Sequence, residues 1–378
     1  MRTSLPPLPS SSPSPLSCPP ASSLHGASTS FASTGYGASQ YPGGADHSVQ
    51  TVEYEDLLGL WSDLECALSV LLACPQQVRD FPAKVRQMDA WLQELVAHDI
   101  DAGLYLMFQL ASTSTAGYSA SHALVCATLC HQMAAALALP GHERNALVRA
   151  ALTMNIAMTA LQDELAHQRE RPSPVQQRDI DAHPLRGQEL LEQLQVVDDL
   201  WLDVVAQHHS AEATAAAGAS PLASMNAEAR LARVLATIDR YAAMISPRKS
   251  RAGRSATASV REVVGKSAEQ RDEVGVSLVR SIGLCPPGTF VRLDNGDTAI
   301  VLRRSEHANL PLVASLLDRT GACLNEPRLH QTAYGKPHIQ AAMARSEVQT
   351  DLNHRTMVRL GLYAAHAGTP PASQHAGL

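Results

Sequence analysis

Between residues 116 and 284 apolar side chains, mostly Ala and Leu, recur at the spacing of a helix, and the β-branched alternation that marks a strand is absent. A stretch of that length and period folds as helices packed around a shared core. The pattern predicts helices over about 120–138, 143–166, 185–195, 197–209 and 227–244, with a closing pair across 257–283. Ahead of it, Leu57, Leu58, Leu60, Trp61, Leu64, Leu68 and Leu71 keep helical spacing up to Pro75. A second amphipathic run (Val85, Met88, Trp91, Leu92, Leu95) and a third (Leu104 to Leu110) follow. Behind the central block the period drops to two. Residues 289–293 and 298–302 read as strands around the turn Asp294-Asn295-Gly296-Asp297, and a third strand is expected at Leu312–Leu317 before a turn at Arg319–Gly321.

The chain is therefore expected to be mainly α, with a helical bundle, an N-terminal helical module and a small C-terminal subdomain containing a β-hairpin. The expected segments are a disordered Ser/Pro-rich tail over 1–50, the module over 52–115, the bundle over 116–284, the β subdomain over 285–330, and a C-terminal extension and frayed tail over 331–378. A net charge of −6 provides no global basic field, which disfavours nucleic acid as a partner. One local basic cluster stands out: Arg248, Lys249, Arg251 and Arg254. No run of 18 apolar residues suggests a membrane span, and the N-terminus lacks the apolar stretch of a signal peptide. The seven cysteines form no C-x-x-C pair, and Cys126 and Cys130, four apart, read as helix core. The expected location is a reducing cytoplasm.

Five polar residues lie on or beside the apolar faces of the central helices: His122, His183 (expected at a helix start, before Pro184), His208, His209 and Asp239. Imidazoles and a carboxylate converging from several helices suit a first-row transition metal. The runs His183-Pro-Leu-Arg-Gly-Gln-Glu-Leu-Leu, His208-His209, Ala236-Thr-Ile-Asp239-Arg-Tyr and Pro286-Pro-Gly-Thr-Phe-Val-Arg-Leu resemble the HD-GYP family over about 116–330. That resemblance implies an HD-domain bundle holding metal ions that activate a water against a phosphodiester of cyclic di-GMP. It assigns metal ligation to His122, His183, His208, His209 and Asp239.

The departures from the family pattern carry equal weight. Its His-Asp doublet falls on Met154 and Asn155, the Gly and Lys that follow fall on Ala157 and Met158, and no Gly-Tyr-Pro triplet follows His209. Asn155 offers a neutral oxygen, and Met154 is a soft thioether beside oxygen donors. One subsite would keep His122 and Asp239, and the other His183, His208 and His209. The expectation is a vestigial site with no confident catalytic residue, which either keeps one divalent transition metal, iron or manganese, or holds none, its histidines then being relics packed and hydrogen-bonded among themselves. The acidic run Gln162-Asp163-Glu164 reads as a solvated helix face rather than a source of displaced ligands. In the loop after Asp239, Arg248 and Arg251 fit phosphate binding, with a solvated loop as the alternative. Three functions remain open: a degenerate HD-GYP module in cyclic di-GMP-linked signalling, binding a nucleotide or signalling proteins; an active phosphohydrolase on cyclic di-GMP or another phosphoester; or a structural scaffold. The amphipathic leucines of 52–115 are candidates for a homodimer contact.

Overall fold

Short polar residues and glycines set where the helices begin and end in the computed structural model. It describes residues 47–113, 117–210, 221–246, 248–249, 253–265, 271–348 and 350–367. Arg251, the Ala211–Ser220 loop and nearly all of both expected tails lie outside the described residues.

Three helices come first: α1 (His47–Ala73), α2 (Phe81–His98) and α3 (Ile100–Thr113). The centre holds α4 (Tyr118–Ala136), α5 (Gly141–Thr153), α6 (Thr159–His167), α7 (Pro174–Gln193), α8 (Asp199–Gln207) and α9 (Ala227–Ile245), followed by α10 (Ala256–Val264) and α11 (Glu273–Ile282). Asp80, Asp198, Asn226 and Asp272 each accept a backbone N–H three residues on, satisfying one of the amides that a helix start leaves free. Gly265 and Gly283, at φ 95° and 87°, end α10 and α11. A continuous buried cluster joins Trp61 and Phe81 of the first helices to Leu147, Trp201 and Leu235 of the centre and to Ile300 of the sheet.

Two central helices differ from the sequence expectation. The run 143–166 is broken: α5 stops at Thr153, Asn155 turns to φ −104°, ψ 14°, and a 3-10 turn at Ile156–Met158 precedes α6. The helix expected from 185 begins instead at Pro174. Ser173 and Gln176 form a reciprocal capping box there, with Pro174 in the first turn. His183 consequently lies inside α7 rather than at its start, and Pro184 is an internal proline.

The sheet is larger than a hairpin. Strands β1 (Phe290–Leu293), β2 (Thr298–Arg303), β3 (Leu312–Leu317), β4 (Cys323–Gln331) and β5 (Ile339–Met343) form one antiparallel sheet in the order β4-β3-β2-β1-β5. A further helix, α12 (His354–Ala367), packs on α1, α3 and β2. The expected turns hold: Gly296 (φ 90°) closes β1 on β2, and Asp318 Oδ1 accepts from the Thr320 and Ala322 amides before Gly321 (φ 84°). Gly288 anchors the sheet on the helices. Its φ is 88°, its carbonyl accepts from Gln109 Nε2 at 2.5 Å, and a Cβ there would lie 2.7 Å from the Tyr105 carbonyl oxygen. Arg303 and Arg304 pair with Asp99 and Asp101 at the start of α3. No described helix is long and apolar enough to cross a membrane.

Candidate metal centre

The proline beside His183 sets the state of that imidazole. Pro184 has no N–H, so the Ile180 carbonyl loses the donor it would receive in a regular helix. His183 Nδ1 takes that carbonyl at 2.5 Å. His208 solves the same problem at a helix end. It follows the last residue of α8, where carbonyls lack helical partners, and its Nδ1 reaches the Val205 carbonyl at 2.6 Å. A carbonyl oxygen only accepts, so both Nδ1 atoms carry the proton and both Nε2 atoms present lone pairs.

Those two Nε2 atoms face each other at 3.2 Å. Two lone pairs at that distance repel unless a proton or a cation lies against them. The proton is disfavoured. Burial, with the fields of His209 and His183, pushes His208 down to about 3, and burial likewise lowers His183. A metal ion fits: two nitrogens bound at tetrahedral zinc-like lengths stand about 3.3 Å apart. His209, half exposed, completes the group, and the donor atoms of His183, His208 and His209 lie within 4.8 Å of one another. Carbonyl-fixed tautomers of this kind orient metal-binding imidazoles.

A second group forms around α4 and α9. His122 Nε2 is 2.7 Å from Asp239 Oδ1, and Cys126 Sγ, one turn along α4, is 3.6 Å from the same nitrogen. Burial raises the Asp239 carboxyl, but the hydrogen bond and charge of His122, then the fields of His209 and His208, outweigh it and hold it well below the usual range. It is a fixed anion at neutral pH. Cys126 is the reverse: burial, Asp239 and Cys130 push its thiol well above its ordinary value, so the thiolate that a metal would need is costly. Sequence spacing marks Cys126 only as core, and nothing in the sequence signals its approach to His122. This second group fits an imidazole–carboxylate pair better than a metal ion. His209 Nε2 lies 3.9 Å from Asp239 Oδ2, so Asp239 links the two groups.

All five candidate ligands therefore converge, from α4, α7, the end of α8 and α9. Met154 is fully buried in the shared core at the end of α5. A Cβ on Gly187, one turn past His183, would lie 3.7 Å from the Met154 carbonyl oxygen and 3.3 Å from Val205. Asn155 makes no side-chain hydrogen bond among the described residues. Asp163 is partly buried and engaged by α4 rather than simply solvated. It accepts the Ser119 amide at 2.7 Å and the Ser119 hydroxyl at 3.0 Å, capping the helix that carries His122.

Arg248 packs on the second group. Its guanidinium lies 4.6 Å over the Tyr118 ring and donates to the Tyr118 hydroxyl at 2.9 Å, and Tyr118 stacks on His122 at 5.6 Å and 12°. Burial raises the Tyr118 phenol against the pull of Arg248. Arg248 has no carboxylate partner among the described residues, and its Nε is buried without an acceptor.

No sequence among curated proteins matches the chain. The solved structure of Bd1817, a HDG"Y"P protein from Bdellovibrio bacteriovorus, aligns with 62% of this chain and 72% of its own at 11% identity and a TM-score of 0.43. A family model described as "HD domain" matches residues 105–273, from within α3 to the first residue of α11 and across all five candidate ligands. Residues 105–273 of this chain are an HD domain.

Proposed function

We propose that this HD domain is a degenerate HD-GYP-type module that holds a single divalent transition metal, iron or manganese, and binds cyclic di-GMP or a related phosphodiester with little or no hydrolysis. The observation that carries the metal is the His183–His208 pair: buried, neutral, with both Nδ1 atoms committed and both Nε2 atoms 3.2 Å apart. His183, His208 and His209 would hold the ion. When bound, it would polarise a phosphoryl oxygen and acidify a coordinated water. Asp239 supplies a fixed negative charge beside that group and is too acidic to shuttle a proton at neutral pH. Arg248, held by Tyr118 at the second group, is the phosphate-binding candidate.

Loss of hydrolysis follows from charge. In the two donor groups Asp239 is the one carboxylate among the described residues, and Asn155 stands where the family's bridging aspartate falls. One anion retains two close dications poorly. Elemental analysis of chelator-free protein, with cyclic di-GMP turnover on the same sample, tests the proposal. The expected result is about one equivalent of metal without turnover. Two equivalents with turnover would make it an active phosphodiesterase, and metal-free protein would remove the metal from the reading. Met154→His with Asn155→Asp should raise the metal content.

A further inference from the structure

Tyr118 is the first residue of α4, and its ring is held between two other planar groups: it stacks on His122 at 5.6 Å and 12°, and the Arg248 guanidinium lies 4.6 Å from its centroid. The backbone behind it is pinned as well, because Asp163 takes both the amide and the hydroxyl of Ser119. The phenol is therefore presented in a fixed direction by a capped helix start.

Its hydroxyl is only half used. The oxygen accepts from Arg248 Nη2 at 2.9 Å, which occupies a lone pair and leaves the O–H free. That proton goes to no acceptor among the described residues, although the side chain is partly exposed. Arg248 is also largely unspent. A guanidinium carries five N–H donors, and one of these is used. Nε is buried without an acceptor, and Nη1 makes no hydrogen bond among the described residues without being buried. Asp239, the nearby carboxylate that could quench the guanidinium, is bonded to His122 instead. A phenol O–H and guanidinium N–H groups thus stand side by side, both unfilled. A neutral O–H beside a guanidinium matches two oxygens of one phosphate, the arginine supplying charge and the phenol a second direction.

We infer that the Tyr118 hydroxyl is a ligand contact in its own right, donating to the same phosphate that Arg248 binds. This rests on the proposed function, in which Arg248 is the phosphate-binding group, and it adds a residue that neither the helical spacing nor the family pattern marks.

Isothermal titration with cyclic di-GMP tests it on the full chain, purified without chelator, as the parent, Tyr118→Phe, Arg248→Gln and the double variant. Phenylalanine keeps the ring and its stacking, so Tyr118→Phe should keep the parent's melting temperature and metal content. It should weaken cyclic di-GMP binding about tenfold, the scale of one hydrogen bond to a charged group. In the Arg248→Gln background it should weaken binding again, by about three- to tenfold, because the phenol's own contact is still there to lose. A hydroxyl that only holds Arg248 in place has nothing left to lose there, so equal affinities of Arg248→Gln and the double variant overturn the inference. A loss of metal in Tyr118→Phe does so too, since the hydroxyl would then act through the donor groups. Unchanged affinity in Tyr118→Phe also overturns it, and if Arg248→Gln still weakens binding the proposed function survives. No binding by the parent at roughly 0.1 mM overturns both.

Discussion

The clamp between Glu143 and Arg230 should account for a measurable share of the domain's stability. Glu143 lies in the first turn of α5, and Arg230 in the first turn of α9, the helix that carries Asp239. Arg230 Nη2 donates to both Glu143 oxygens, at 2.7 and 2.8 Å, and Nη1 donates to the Met225 carbonyl at 3.1 Å. The side chains are 8% and 20% exposed, between the surface and buried regimes. Surface pairs contribute at most about 1 kcal/mol, whereas truncating one partner of a buried pair costs about 3–5. Glu143→Gln is thus expected to cost about 2 kcal/mol. Arg230→Met should cost about 3, because the Met225 carbonyl also loses its donor. In the double variant neither charge is left facing a vacancy, so its loss should fall short of the sum by about 1–2 kcal/mol. Urea unfolding of the four proteins measures this, and the Met225 contribution cancels in the cycle. Losses that add within about 0.5 kcal/mol would show that the clamp carries no coupling, and the reasoning would fail.

Pro184→Ala restores an N–H that competes with His183 Nδ1 for the Ile180 carbonyl, so metal affinity should fall about 10- to 100-fold in a chelator competition while the helix stays intact. Gly288→Ala puts a Cβ 2.7 Å from the Tyr105 carbonyl oxygen at a φ of 88°. It should destabilise by on the order of 2–3 kcal/mol, read as a lower urea midpoint. Burial, then Arg144, lowers His131, and burial, then Arg345, lowers His354. For both, the unfolded chain takes a proton near pH 6.5 before the folded one does. Their contribution to stability is therefore complete above about pH 6.5 and declines as the pH drops below it. In metal-free protein the buried His183 and His208 act in the same direction, so the urea midpoint should be lower at pH 5.5 than at pH 7.5, and equal midpoints would refute the sign shared by these four histidines.

The sequence exposes the five candidate ligands because imidazoles on Ala/Leu faces are conspicuous, and their grouping follows from family spacing. What it hides is local competition. His183-Pro184 reads as a helix start because proline favours first turns, yet the Ser173–Gln176 capping box ten residues earlier takes that role. The proline then acts inside the helix by freeing a carbonyl. Asp163 reads as a solvated acid because its partner, Ser119, is 44 residues away in sequence. Strands β4 and β5 escape notice for a related reason. Both lie at sheet edges, Pro327 interrupts the first, and their exposed faces need no apolar alternation. The turns at Gly296 and Gly321 are legible because their chemistry is local.

The break between α5 and α6 ties Met154 and Asn155 to the three-histidine group. Thr153 Oγ1 accepts from Trp201 Nε1 at 2.8 Å and donates to the Arg149 carbonyl at 2.8 Å, so the end of α5 is pinned to α8 just ahead of Met154. Gly187 lets α7 approach both that end and Val205, whose carbonyl fixes His208. The packing that positions His183 and His208 therefore runs through backbone and apolar atoms around residues 153–156, and none of it requires a carboxylate at Asn155. With Asn155 rather than a carboxylate at this turn, the proposed reading leaves little charge for a second ion, while the scaffold of the three-histidine group stands on other contacts. That separation is the physical basis for expecting one ion where the family pattern provides for two. It also explains why placing His and Asp at 154 and 155 is a meaningful experiment: the frame that would receive the new side chains is held by contacts that do not involve the side chains of Met154 and Asn155.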